Sequence, residues 1–378
     1  MSRVRATFAA HAATIGLAVL LATGCSFSPK KPEPAPLSPV AALMGTQLIW
    51  TAQVGPGPTH AAPQVVGSRV YLAGAGGTVA AIDTETGRDV WRASLGTPLA
   101  TGVGADGETA AVVTQENALI ALSNGQQRWR VQLPAQVFTT PLVAGGRVFV
   151  VTADRTVLAF DGSNGARLWS QPRPGEPLVL SQAGVLLAVG DTLVAGLSGR
   201  LTGLDPRNGS VRWEAPIATP RGANEVERLV DLVGPVSRLG DSVCARAYSA
   251  AVGCVDALRG NVAWTQAAQG NVGLAGDDRL VFGAESDGRV RAWQRVSGEA
   301  AWSVDRLRYR SLSAPLAAGR VVALAEATGT VHLLSREDGS ELTRLTTDGS
   351  AAVGGPVLAG QVLLVQTRNG GVFAWRPQ

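Results

Sequence analysis

A tryptophan recurs through this 378-residue chain at an interval of about forty residues. Seven of the nine tryptophans lie in one register, at positions 50, 91, 129, 169, 213, 264 and 302, and with Thr343 at an eighth position they are spaced 38 to 51 residues apart. The clearest copy of the repeat, residues 77–91, reads GTVAAIDTETGRDVW. Each unit contains four short β-prone runs separated by glycine-rich turns, and a period of this length and content is typical of a propeller blade. The sequence therefore predicts an all-β, eight-bladed β-propeller with four-stranded antiparallel blades.

Three residues of the repeat have a predictable structural role. Asp83 ends the third strand, where its carboxylate can accept hydrogen bonds from backbone N–H groups of the turn. Gly87 supplies the positive φ that the hairpin needs, and Trp91 offers a large flat surface for the neighbouring blade. The motif is therefore expected to hold a turn and a contact between blades.

The two ends of the repeat region complement each other. Residues 47–55, QLIWTAQVG, match the last strand of a unit, whereas residues 370–375, GGVFAW, match a third strand. We predict that residues 48–54 supply the outer strand of the eighth blade, so that the N-terminal strand joins the C-terminal blade and closes the ring. The propeller is then expected to span residues 46–378.

The N-terminus predicts export and a membrane anchor. Arg3 and Arg5 precede an apolar run, residues 12–22, that is too short to span a bilayer, so residues 1–24 are typical of a secretory signal. The sequence LATGC, ending at Cys25, resembles the bacterial lipobox, in which the cysteine is acylated. The alternative is an ordinary signal cleaved near residue 24, with an incidental cysteine. Residues 25–45 contain five prolines and predict an extended tether.

Composition disfavours several functional classes. Charged residues make up 16% of the chain, and its 33 basic side chains are dispersed, unlike the basic stripe of a nucleic-acid-binding protein. Three histidines and three cysteines leave little material for metal clusters or histidine-based triads. His60 and His332 are distant in the repeat order. We therefore expect no nucleic-acid partner, no metal, no cofactor and no catalysis.

The repeat carries a family resemblance. The pattern Ala-x-Asp-x-x-Thr-Gly-x-x-x-Trp of residues 81–91 resembles the tryptophan-docking repeat of pyrroloquinoline-quinone (PQQ) dehydrogenase propellers. A lipoprotein signal, a short tether and a bare eight-unit propeller are together similar to the BamB family, lipoprotein subunits of the outer-membrane β-barrel assembly (BAM) machinery. Residues 225–231, EVERLVD, resemble a Glu-x-x-Arg-Leu-x-Asp stretch in a long loop of that family. The resemblance implies a non-enzymatic scaffold on the periplasmic face of the outer membrane.

The same resemblance implies partners and a binding site. BamB proteins dock on the periplasmic POTRA domains of BamA and assist unfolded outer-membrane proteins, and a Leu-x-Leu segment of the site resembles residues 177–181, PLVLS. Leu178 and Leu180 would then be apolar anchors, and Arg228 and Asp231 would position or pair with charged groups of BamA. From the residues alone, the leucines also fit an ordinary strand with alternating core side chains. Arg228 and Asp231 equally fit an internal salt bridge that braces the loop.

Alternatives remain for the cysteines and for the function. Cys244 and Cys254 flank a predicted hairpin centred near Ser249, where they would form a disulfide or remain two buried thiols. A periplasmic PQQ-type enzyme is the functional alternative that the repeat itself suggests. Those enzymes resemble one another in adjacent cysteines, a stacking tryptophan and an acidic calcium site, and no two cysteines are adjacent here. A free-standing adhesion module is a further alternative.

Overall fold

The computed structural model describes residues 32–40, 42–58, 61–175 and 178–377. The chain divides into Met1–Glu33 and Pro34–Gln378, and all the strands described below belong to the second unit. Within the described residues, thirty-two strands form eight antiparallel sheets of four. The predicted fold, an all-β propeller of eight blades, is confirmed.

Seven blades are built from four consecutive strands, ordered from the central axis outward. Blades 1 to 3 comprise β2 (Gln64–Val66), β3 (Arg69–Ala73), β4 (Thr78–Asp83) and β5 (Asp89–Ser94); β6 (Gly104–Ala105), β7 (Ala110–Val113), β8 (Ala118–Ser123) and β9 (Gln126–Gln132); and β10 (Leu142–Ala144), β11 (Arg147–Val151), β12 (Val157–Asp161) and β13 (Arg167–Gln171). Blades 4 and 5 comprise β14 (Leu186–Val189), β15 (Thr192–Leu197), β16 (Arg200–Leu204) and β17 (Val211–Pro216); and β18 (Leu232–Leu239), β19 (Ser242–Ala247), β20 (Ala251–Asp256) and β21 (Asn261–Ala267). Blades 6 and 7 comprise β22 (Leu274–Gly276), β23 (Leu280–Ala284), β24 (Val290–Gln294) and β25 (Ala300–Val304); and β26 (Leu316–Ala318), β27 (Val321–Ala325), β28 (Thr330–Ser335) and β29 (Glu341–Thr346).

Blade 8 joins the two ends of the ring. Its inner three strands are β30 (Val357–Ala359), β31 (Val362–Gln366) and β32 (Gly371–Pro377), and its outer strand is β1 (Thr46–Gln53). β1 pairs antiparallel with β32 from Thr46 opposite Pro377 to Gln53 opposite Gly371. The predicted closure of the ring by the N-terminal strand is confirmed, and the array has no unpaired end.

At seven of the eight contacts between neighbouring blades, a tryptophan is docked on a glycine turn. Trp50 of blade 8 donates its indole N–H to the carbonyl of Thr84 in blade 1 at 2.9 Å. Gly87 has φ +71, and a Cβ placed on it would lie 2.6 Å from Trp50 Cδ2. In the same turn, Asp83 Oδ1 accepts the backbone N–H of Thr86 at 2.9 Å. The roles predicted for the aspartate, the glycine and the tryptophan are all present.

Thr343 stands where tryptophan is expected because its neighbour has no turn for an indole to dock on. In blade 8, the third and outer strands are the C-terminal and N-terminal ends of the propeller, so no hairpin connects them. Met44 packs near this position instead, against a buried cluster that includes Leu333, Leu363 and Trp375.

The core of the molecule lies between the blades. Eight clusters of buried alanine, valine and leucine, most with an aromatic side chain, follow one another around the described ring. Because every sheet is covered on both faces, its middle strands are mainly apolar, as in β8, where five consecutive residues are buried. Nowhere in the described part of the chain is there a helix long and apolar enough to cross a membrane.

Candidate protein-docking site

Two long loops meet on one face of the ring. Residues 172–185 link blade 3 to blade 4, and residues 217–231 link blade 4 to blade 5. In antiparallel blades, the loops between blades emerge on the same face as the turn between the second and third strands. The β11–β12 turn of blade 3, residues 152–156, therefore lies beside both loops.

Arg155 in that turn joins the two loops. Its Nη1 donates to Asp231 Oδ1 at 2.7 Å, and its Nη2 donates to the carbonyl of Leu178 at 3.0 Å. The other carboxylate oxygen of Asp231 accepts the backbone N–H of Leu180 at 3.0 Å. Arg155 is only 7% exposed, and its backbone has φ +63. The planar guanidinium thus donates to both loops, and the carboxylate accepts from Arg155 and from Leu180, so segments far apart in sequence are connected.

The structure brings three of the four sequence-nominated residues into one cluster. Asp231 and the backbone of Leu178 and Leu180 meet at Arg155, and residues 178–180 lie outside any strand, unlike the alternative of a regular core strand. The Leu178 side chain is exposed, and that of Leu180 is half-buried. Arg228 is half-buried and lies three residues before Asp231 in the second loop. Asp231 does take part in an internal brace, and its partner there is Arg155 of blade 3.

A single helical turn projects from the second loop. The Asn224 side chain accepts the backbone N–H of Glu227 at 2.9 Å, while Glu227 Oε2 accepts the N–H of Ala223 at 2.8 Å. This pair of bonds is similar to a capping box, except that the second bond comes from Ala223, the residue before Asn224, and it fixes the turn from both sides. Val226 lies at its tip and is 71% exposed. The turn therefore presents an apolar side chain to solvent on a fixed backbone.

The arrangement is suited to protein binding. Val230 and Leu232 are buried at the base of the second loop, which anchors it to the ring. Leu178 and Val226 are exposed apolar residues, and the loop that carries Val226 also carries exposed charged residues such as Arg221 and Glu225. Apolar anchors within a polar rim are the usual anatomy of a protein interface. Sequence reasoning did not identify Arg155 or Val226 as part of the site. Arg155 has no local sequence signal. Val226 could have been identified as an isolated valine among charged residues.

The central cavity is the candidate site for a cofactor. It has a volume of about 870 Å³ and is lined mainly by small and apolar residues of the inner strands and their preceding loops. Its charged lining residues, among those that the structure describes, are Arg238, Glu326 and Arg368, and neither cysteine nor tryptophan lines it. No group of three or more histidine, cysteine, aspartate or glutamate side chains in the described ranges is arranged to hold a metal ion. These residues do not fit a quinone site with paired cysteines, a stacking indole and an acidic calcium site.

The two cysteines of blade 5 are bonded to each other. Cys244 and Cys254 are directly opposite on β19 and β20, with Cα atoms 3.9 Å apart, and both are buried. Trp264 packs in the same cluster between blades 5 and 6. The disulfide is enclosed in the core, so its role is structural.

Comparison with known proteins identifies the family. The family profile described as "Outer membrane protein assembly factor BamB" matches residues 41–92 and 75–304. The chain is 37% identical to the outer membrane protein assembly factor BamB of Burkholderia pseudomallei over 96% of both chains. The chain belongs to the BamB family. It is also 36% identical to BamB of Bordetella pertussis over 95% of each chain.

Solved structures show the same fold. The crystal structure of BamB from Moraxella catarrhalis matches with a TM-score of 0.80 at 24% identity, covering 88% of this chain and 100% of that one. A quinohemoprotein alcohol dehydrogenase from Comamonas testosteroni matches with a TM-score of 0.68 at 15% identity, covering 89% and 77%. The propeller fold is thus common to assembly factors and quinoproteins. The fold alone therefore does not distinguish these two functions, and the residues of the candidate sites must be compared.

Proposed function

We propose that this protein is a non-enzymatic scaffold subunit of the BAM complex that binds the periplasmic POTRA domains of BamA. The observation that carries the proposal is the Arg155 cluster, because it joins the Leu178–Leu180 segment and Asp231, which lie on different loops. Leu178 and Val226 would enter apolar pockets of the partner, and Arg228 would meet its charged rim. Membership of the BamB family supports this assignment.

The proposal includes attachment to the outer membrane. Cys25, which lies outside the described residues, would be acylated and would hold the protein on the periplasmic face of the membrane. Several acyl chains at about 0.8 kcal/mol per buried methylene give firm anchoring without a transmembrane helix. Ser26 follows Cys25, where aspartate would resemble an inner-membrane retention signal, and this supports the outer membrane as the destination.

Unfolded outer-membrane proteins are the proposed substrates. The outer strands of the blades have solvent-facing edges, and an extended segment can add to such an edge through backbone hydrogen bonds. Cross-linking groups placed along outer strands such as β5 and β21 are expected to capture nascent barrel proteins in cells. If no blade edge yields such cross-links, this part of the proposal is wrong.

We further propose that the protein catalyses no reaction and carries no cofactor. The lining of the central cavity supports this, since its residue types do not match a quinone site. An absorbing cofactor that co-purifies with the protein would contradict it and would favour a PQQ-type enzyme. A free-standing adhesion module would instead show no partner in the assembly machinery.

Binding to BamA tests the main proposal directly. The mature chain with Cys25→Ser, which carries no lipid, is titrated with purified BamA periplasmic domains. Leu178→Asp and Val226→Asp are expected to weaken binding at least about 30-fold, because an interface hot spot contributes 2 kcal/mol or more. Asp231→Arg, which also disturbs the Arg155 cluster, is expected to weaken it further.

The matched control is Leu258→Asp. Leu258 is also an exposed leucine, 48% accessible, and it lies in the β20–β21 turn, on the opposite face of the ring. This variant is expected to bind like the parent. Equal binding by all variants would place the interface elsewhere, and no binding by the parent would refute the proposed partner.

A further inference from the structure

The proline-rich segment before the propeller lies against the ring. The backbone N–H of Ala35 donates to the carbonyl of Arg308 at 2.9 Å, and the N–H of Leu43 donates to the carbonyl of Leu342 at 2.9 Å. Arg308 belongs to the loop between blades 6 and 7, and Leu342 belongs to β29, the outer strand of blade 7. The segment is therefore fixed at two points by backbone hydrogen bonds.

Apolar side chains hold the same segment between these points. Leu37 packs against the cluster between blades 6 and 7, which includes Leu307 and Leu312. Met44 packs against the cluster between blades 7 and 8, which includes Trp375. The segment thus crosses the outer side of blade 7 from one interface to the next.

Arg310 clamps the start of the segment. Its Nε and Nη2 both donate to the carbonyl of Ala35, at 2.9 and 2.6 Å, and its Nη1 donates to Glu326 Oε2 at 2.8 Å. The Arg310 side chain is 13% exposed and that of Glu326 is 1% exposed. If the segment left the ring, two donors of a largely buried guanidinium would lose their acceptor. Such charge-assisted hydrogen bonds are among the stronger polar contacts in proteins.

We propose that residues 34–40 and 42–44 form a strap built into blade 7, which fixes the point where the N-terminal chain leaves the ring. That point is the carbonyl of Ala35 beside Arg308 and Arg310. The connection between Cys25 and the strap is then residues 26–33. Together with the lipid on Cys25, which belongs to the proposed function, the strap holds the loop between blades 6 and 7 close to the membrane surface.

The distances separate a strap from a free tether. The eight residues 26–33, joined to Cys25, span at most roughly 30 Å at about 3.3–3.6 Å per residue. A free polyproline tether of about twenty residues would reach roughly 60 Å at 3.1 Å per residue, and it would let any blade approach the bilayer. With the strap bound, the sector of blades 6 and 7 faces the lipid, and blade 2 on the opposite side of the ring points away.

Amide exchange tests the strap without reference to the membrane. In the mature chain with Cys25→Ser, the amides of Ala35 and Leu43 are expected to exchange far more slowly than in an unstructured peptide. Arg310→Ala is expected to accelerate exchange at Ala35 at least tenfold, and Arg306→Ala, an exposed arginine in the same loop, is the matched control. Exchange of both amides at the unstructured rate in the parent would overturn the strap.

Energy transfer on vesicles tests the orientation. The acylated protein is bound to vesicles of phosphatidylethanolamine and phosphatidylglycerol that carry a headgroup acceptor, with a donor at Ala327→Cys or at Gln115→Cys. These two exposed residues occupy equivalent turns between second and third strands, in blades 7 and 2. Greater transfer from position 327 is expected, and equal transfer would contradict the orientation. Failure to bind vesicles would instead refute the proposed anchor, while amide exchange decides the strap independently.

Discussion

Arg155 illustrates how a single buried side chain can organise a binding surface. It satisfies one oxygen of Asp231 and the carbonyl of Leu178, while the second oxygen of Asp231 holds the N–H of Leu180. Neither loop is part of a sheet at these positions, so the arginine replaces the hydrogen bonds that a sheet would otherwise supply. The two loops therefore have one fixed relative position, which lowers the entropy lost when a partner binds.

A double-mutant cycle is expected to show this coupling. Arg155→Met leaves the Asp231 carboxylate partly unpaired in a site where it is largely shielded from water, so the free energy of unfolding should fall by roughly 1–3 kcal/mol. Asp231→Asn should cost a similar amount alone. Because both changes remove the same contact, the double variant should cost less than their sum, by about 0.5–3 kcal/mol. Chemical denaturation measures all four proteins, and strict additivity would show that the pair does not interact.

His332 is a buried residue whose surroundings affect how the stability of the whole molecule depends on pH. It is fully buried in blade 7, with Nδ1 2.6 Å from Glu341 Oε1 and Nε2 3.4 Å from Glu326 Oε2. Arg310 and Arg344 pair with the outer sides of the same two carboxylates. Burial alone would lower the pKa of His332, but contacts with Glu326 and Glu341 raise it above 6.5. Burial also opposes ionisation of the two glutamates, yet hydrogen bonds from His332 and the neighbouring polar groups lower the pKa of each to about 2.

The sign of the pH dependence follows from these shifts. A histidine whose pKa is raised on folding stabilises the protein fully below its unfolded value of about 6.5, and this stabilisation is lost as pH rises through the folded pKa. The melting temperature of the parent should therefore decline above pH 6.5, and that of His332→Gln should decline less over the same range. Calorimetry from pH 6 to pH 9 checks this. Parallel curves for the two proteins would show that His332 does not titrate in that window.

The outer strand of a blade carries the tryptophan that packs on the next blade. Trp169 donates to the carbonyl of Pro206 at 3.0 Å and lies on Gly209 of the next blade. Trp169→Ala should lower the free energy of unfolding by about 3–5 kcal/mol, since it removes a large buried ring and leaves a cavity between blades 3 and 4. Urea denaturation provides the measurement.

Thr343→Trp tests whether the tryptophan of the repeat needs a glycine turn on which to dock. It restores the consensus residue of the repeat, but blade 8 offers no glycine turn to receive the ring. We therefore expect no stabilisation, and a gain of 1 kcal/mol or more would show that the docking turn is dispensable.

The elements that repeat were predictable from sequence, and those that do not repeat were not. Most blades carry their own local signals, such as Asp83, Gly87 and Trp91 of blade 1, so the repeated copies reinforce one interpretation. Arg155 and Asp231 are 76 residues apart, and their contact exists only once, so no local pattern announces it. The prolines of the segment that contains Leu37 and Met44 favour an extended chain. They do so equally whether the segment is free or bound. Only the partly buried apolar positions within it distinguish a strap from a tether.

At the scale of the whole molecule, closure converts eight weak interfaces into one cooperative unit. A linear array would leave the outer edge of one terminal blade and the core of the other exposed to water. Here β1 covers β32, and the cluster between blades 8 and 1 includes Val54, Val70, Leu72 and Val372. The strap adds a further connection across blade 7 close to the same seam.

Removing the closing strand is therefore expected to unfold the ring. Deletion of residues 369–378 eliminates β32, so β1 has no partner, β31 becomes an exposed edge, and the buried Val372, Ala374 and Trp375 are lost. We expect no cooperative thermal transition in the truncated protein by circular dichroism. The control is deletion of residues 1–33, which leaves Pro34–Gln378 intact and should melt like the parent. A truncated protein with unchanged melting would show that the ring does not depend on its closure, because a blade of two inner strands would then suffice to hold the array.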